Sequence, residues 1–87
     1  MADIRIVEID ASTYQVTVVA QTTTMHTVTM HADYLLKLTN GSISNIELLK
    51  KSFEFLLYRE PNTSILRSFN LSVISRYFPE YEKEMRQ

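Results

Sequence analysis

Ser44–Pro61, SNIELLKKSFEFLLYREP, reads as one helix with both ends marked. Ser44 and Glu47 stand at capping-box spacing, where each side chain satisfies a backbone N–H that the first turn leaves unpaired. Ile43 and Leu48 occupy the two positions of a hydrophobic staple across that cap. Pro61 sets the end, because a proline pushes the residue before it out of the helical region. The helix is apolar on two sides. Ile46, Leu49, Phe53, Leu56 and Leu57 make one stripe at helical spacing, while Leu48 and Phe55 lie nearly opposite. Glu47, Lys51, Glu54 and Tyr58 are left as the polar strip. Such a helix has to be covered from two directions, by the chain on its N-terminal side and by the chain on its C-terminal side.

The N-terminal part is strand-like. Residues 4–9 (IRIVEI), 13–20 (TYQVTVVA) and about 23–30 (TTMHTVTM) are rich in the β-branched and aromatic residues that suit a pleated surface. In the second run Tyr14, Val16, Val18 and Ala20 alternate with Gln15, Thr17, Val19 and Gln21; in the third, His26, Val28 and Met30 alternate with Met25, Thr27 and Thr29. Short connections make neighbouring strands antiparallel. Asp10 suits the first turn, whereas the second, near Gln21–Thr22, holds no turn-specific residue. A three-stranded meander has two open edges, and open edges invite another strand.

The rest of the chain reads as short helices. One over about 32–39 ends at Asn40-Gly41, the lone glycine suiting a left-handed position. Beyond the central helix, Asn62-Thr63-Ser64 can cap a helix over 64–69, and Asn70 or Ser72 can cap a further turn through Tyr77. Pro79 forces Phe78 extended and then suits a helix start. Glu82 and Arg86 have the favourable i, i+4 spacing. The expected fold is therefore α+β: a single domain over residues 1–87, with an N-terminal antiparallel sheet of about three strands packed on a central helix at about 44–59 and short C-terminal helices over its far side.

Composition narrows the function classes. Hydrophobic residues make up 45% of the chain, which argues for a folded core, with a net stability of about 4–9 kcal/mol for a domain this small. Nine basic against ten acidic residues leave a net charge of −1, without the basic excess that marks nucleic-acid binders. No apolar run approaches the ~20 residues of a membrane span. MADIRIVEID carries acids early and no apolar run, which argues against a secretory leader. With no cysteine there is neither a disulfide nor thiolate chemistry, and a cytoplasmic home fits.

The run from Val28 onward resembles a family of small, uncharacterised bacterial proteins. The resemblance spans about 26–82 and is carried by SFEFLL (Ser52–Leu57), REP (Arg59–Pro61), SIL (Ser64–Leu66) and YFPEY (Tyr77–Tyr81). It implies a compact cytoplasmic domain and supplies no catalytic residues.

Site chemistry is sparse. His26, His31 and Asp33 are the one conceivable metal cluster, but positions 26 and 31 of a continued strand point to opposite faces, so no metal is expected and His26 reads as a strand surface residue. There is no nucleophile elbow, no glycine-rich phosphate loop and no paired-carboxylate site, so neither an enzyme nor a cofactor is expected. The leading expectation is a non-enzymatic protein-interaction or accessory module. Its partner is another protein or a second copy, met at a strand edge (23–30, with Met25 and Thr27, or 4–9) or at the aromatic patch Tyr77, Phe78 and Tyr81. That patch serves equally as a lid over Leu48 and Phe55. The alternative is a weak nucleic-acid binder using a helical 64–77 segment with Arg67 and Arg76, although Pro79 would cut a recognition helix short.

Overall fold

The three predicted strands form, and a fourth joins them. In a computed structural model that describes residues 2–86, β1 (Asp3–Glu8), β2 (Thr13–Val19) and β3 (Thr24–Thr29) lead into α1 (Ala32–Thr39) and α2 (Asn45–Leu57). Next come β4 (Ser68–Asn70), α3 (Ile74–Tyr77) and α4 (Tyr81–Met85), with single 3-10 turns at Asn62–Ser64 and Leu71–Val73. The sheet runs β1-β2-β3-β4; its first two pairings are antiparallel and the β3/β4 pairing is parallel. The fold is thus α+β, as expected, with a mixed sheet of four strands instead of an antiparallel one of three. No helix among the described residues is long and apolar enough to cross a membrane.

The extra strand replaces the predicted helix over 64–69. Only Asn62–Ser64 turns; Ile65 is extended, at φ −74°, ψ 137°, and Ser68–Asn70 form the strand. A single isolated helical turn closes few hydrogen bonds for the residues it fixes. The extended form gains ladder bonds instead, beginning with the Thr27 amide donating to the Arg67 carbonyl at 2.8 Å. It also sets Phe69 opposite Val28 on the buried face. The β3 edge expected to be open is therefore occupied over Thr27–Thr29.

Alternation sorts the sheet as the sequence suggested. Tyr14, Val16, Val18 and Val28 are buried, and Ile4 and Ile6 pack beside them. The β2–β3 connection, which lacks a turn-forming residue, is held from a distance: the Asn62 side-chain amide donates to the Thr22 carbonyl at 2.7 Å.

α2 begins as its cap dictates. Ser44 is extended and its hydroxyl accepts from the Glu47 amide at 3.1 Å. The return arm of the box is replaced by a hydroxyl-to-carboxylate contact, Ser44 Oγ donating to Glu47 Oε1 at 3.3 Å. Ser44→Ala is expected to cost about 1 kcal/mol, measured as a shift in urea denaturation without a change in slope. α1 ends where expected, with Asn40 at φ 52° and Gly41 at φ 76°, both left-handed.

Both flanks of α2 are covered. On one, the Phe53 ring lies 5.4 Å from His26 of β3 and 6.2 Å from Phe69 of β4. On the other, Phe55 meets Tyr81 at 5.3 Å and Phe78 at 5.8 Å, both near edge-to-face. Ile46, the first member of the sheet-side stripe, falls short of the core and is 42% exposed.

Between Leu48 and Phe55, Ser52 is fully buried. Its hydroxyl donates its one proton to the Leu48 carbonyl (2.7 Å), so the Tyr81 phenol, 2.6 Å away, must donate to Ser52 Oγ. Tyr34 Oη donates to Glu82 at 2.9 Å and ties α1 to α4.

Candidate functional site

The end of α2, the stretch from Ser64 to Leu66, β4 and α3 line an open groove of about 180 Å³. Its floor is apolar, formed by Leu56, Ile65, Phe69 and Ile74. Its lips are Leu66, 47% exposed, and Tyr77, 66% exposed. The groove exists because the chain leaves the helical conformation at Ile65: Ile65 turns into the core and Leu66 stays outside.

Glu60 stands at the rim. Its carboxyl is pushed above the usual carboxylate range by desolvation. Among the described residues that carboxyl makes no hydrogen bond or ion pair, while the Glu60 amide donates to the Leu56 carbonyl at 2.9 Å. Its neighbour Arg59 is committed elsewhere. That guanidinium sits 3.6 Å over the Phe55 ring and bonds Glu80 at 3.2 Å, Glu84 at 3.0 Å and the Phe55 carbonyl at 3.1 Å. Arg59 thereby clamps α4 to the end of α2.

Behind the groove lies a polar chain in the core. His26 is fully buried, not a strand surface residue. Its Nδ1 is 2.7 Å from the Leu66 carbonyl, which can only accept, so Nδ1 carries the proton. Nε2 then accepts from the Thr24 hydroxyl at 2.8 Å, and Thr24 Oγ1 accepts from Asn62 Nδ2 at 2.9 Å. This relay fixes the stretch that makes the groove's upper lip.

Burial, aided by the positive charge of Arg67 and opposed by the Leu66 carbonyl, holds the imidazole below its ordinary range. The unfolded chain therefore takes up a proton near pH 6.5 that the folded chain refuses, and stability falls as pH drops below that value. Denaturation at pH 7 and pH 5.5 is expected to show this loss, and His26→Gln to flatten the slope over that interval.

The residues singled out in the sequence separate. Tyr77 and Phe78 line the groove, Tyr77 exposed and Phe78 half-buried. Tyr81 is 0% exposed and belongs to the lid over Leu48 and Phe55, so its side chain presents nothing to a partner. Met25 is exposed on the outer face of the sheet, and the backbone edge at Thr27 is taken by β4.

His31 precedes α1 and Asp33 lies in its first turn, both exposed. No three His, Cys, Asp or Glu residues stand close enough to hold a metal among the described residues. The 64–77 segment offers no helix long enough to enter a nucleic-acid groove.

Glu60 and Leu66 as groove residues escaped the sequence. The one local hint was a carboxylate directly before Pro61, next to an arginine with richer company elsewhere. Comparison of the chain with protein-family models, curated proteins and solved structures finds no match.

Proposed function

We propose that this protein is a non-enzymatic interaction module that takes a bulky apolar side chain of a partner protein into the groove between Leu66 and Tyr77. The open apolar groove with its two exposed lips carries this reading. Its size supports it: a dry apolar cavity of about 150 Å³ holds a benzene ring, and this groove is of that order at about 180 Å³. Aromatic anchors seated in such pockets commonly dominate interface energy.

Glu60 at the rim, with no cation of its own, favours a partner segment that carries a lysine or arginine beside the anchor. A reducing, cytoplasmic setting suits a chain without cysteine.

The test is capture from lysate of the native cells by tagged wild type, Leu66→Asp and Met25→Asp, read by mass spectrometry. Leu66→Asp puts a charge at the groove lip, whereas Met25 lies on the far face of the sheet. A partner held by wild type and Met25→Asp but lost by Leu66→Asp is the expected result. Equal capture by all three contradicts it.

A further inference from the structure

At the edge of the sheet opposite β4, β1 pairs only with β2. The Ile9 amide donates to the Thr13 carbonyl at 2.9 Å, which sets the alternation along this strand. The backbone groups of Asp3, Arg5 and Val7 turn toward β2, and those of Ile4, Ile6 and Glu8 turn outward. No loop among the described residues takes up the outward groups.

Charged residues commonly protect such an edge. Here their order selects a partner instead. We propose that β1 pairs with β1 of a second copy, antiparallel, with Ile4 opposite Ile4, joining two sheets into one.

The register is set by charge and face. A two-fold axis perpendicular to the sheet keeps outer faces together, so odd-numbered residues must oppose odd and even oppose even. With Ile4 opposite Ile4, Asp3 of each copy faces Arg5 of the other. On the helix side Ile6 then faces Ala2. Ala2, Ile4 and Ile6 are all only partly buried in the single chain, so this pairing covers apolar surface that is otherwise wet.

The next allowed register sets Arg5 against Arg5, and like charges directly opposite are repulsive. The one beyond it sets Glu8 against Ile4 on the apolar side. Only the first register matches charge and apolarity together. Asp3 and Arg5 already touch within one chain at 3.1 Å, and both are well exposed, so each keeps free hydrogen-bonding capacity for the cross-copy pair. The interface lies at the other end of the sheet from the groove, and it stands or falls independently of the function proposed above.

Sedimentation velocity over a concentration series tests it, using wild type, Asp3→Arg, Arg5→Asp and an equimolar mixture of the two variants. Both side chains are exposed, and circular dichroism checks that the variants stay folded. Wild type is expected to dimerise, and more weakly at high salt. Each variant alone turns both cross-copy pairs repulsive and is expected to lose roughly tenfold or more in self-association. The mixture restores opposite charges at every facing position and is expected to recover the dimer. A wild type that stays monomeric up to millimolar concentration overturns the proposal. So do single variants that dimerise like wild type, or a mixture no stronger than its components.

Discussion

Tyr81→Ala is expected to remove about 3–5 kcal/mol of stability, the usual cost of truncating a buried aromatic to alanine. Against the about 4–9 kcal/mol typical of so small a domain, that is roughly half of the whole stability. The ring is fully buried and packs edge-to-face on Phe55 at 5.3 Å. Its phenol donates to Ser52 at 2.6 Å, on the flank of α2 away from Phe53 and His26. Alanine therefore leaves a cavity and removes one of the partners of a buried serine.

Tyr81→Phe separates the two effects, since it keeps the ring and gives up only the hydrogen bond, at about 1–2 kcal/mol. Urea denaturation followed by far-ultraviolet circular dichroism measures both. A loss under about 1 kcal/mol for Tyr81→Ala would mean that the aromatic patch does not close the core. Burial also raises the Tyr81 phenol above its ordinary range. The folded chain keeps a proton that the unfolded chain releases near pH 10, so stability present below that pH is lost above it.

Phe53→Ala is expected to cost a similar amount, about 3–5 kcal/mol, by a different route. Phe53 is fully buried where α2 meets β3 and β4, with His26 at 5.4 Å and Phe69 at 6.2 Å. β4 is three residues long and joins the sheet by parallel pairing alone. Phe69 is its one buried side chain. Removing the ring beneath Phe69 should loosen β4 before the rest of the sheet. The Thr27 amide, which donates to Arg67 at 2.8 Å, reports this directly. Its hydrogen exchange should speed up in Phe53→Ala more than that of the Ile9 amide, which lies at the opposite edge. Equal acceleration at both would show that β4 is no weaker than the rest.

What the sequence made legible was local. The Ser44 cap, the stop before Pro61 and the two apolar stripes between them all lie within one helix, where spacing alone assigns faces. Strand alternation placed Val16, Val18 and Val28 inward for the same reason. β4 was not legible, because its support comes from β3 across the chain: Phe69 is extended since Val28 lies beside it.

His26 shares the inward period with Val28 and Met30, yet a histidine at such a place looks like surface until its partners Thr24 and Leu66 are known. Tyr77 and Tyr81 could not be told apart because Pro79 breaks the helical period between them. One became a groove lip and the other a core lid. The groove itself has no motif. It is a by-product of α2 ending beside an extended strand that was expected to be a helix.

Native-state amide hydrogen exchange along α2 tests the two-sided clasp most directly. The amides of Ser52 and Phe55, on the flank under Tyr81, are predicted to exchange with the same free energy as those of Phe53 and Leu56, all four opening only with global unfolding. Protection at Phe53 and Leu56 with fast exchange at Ser52 and Phe55 would contradict it. The helix would then rest on the sheet alone, with its other flank open to water.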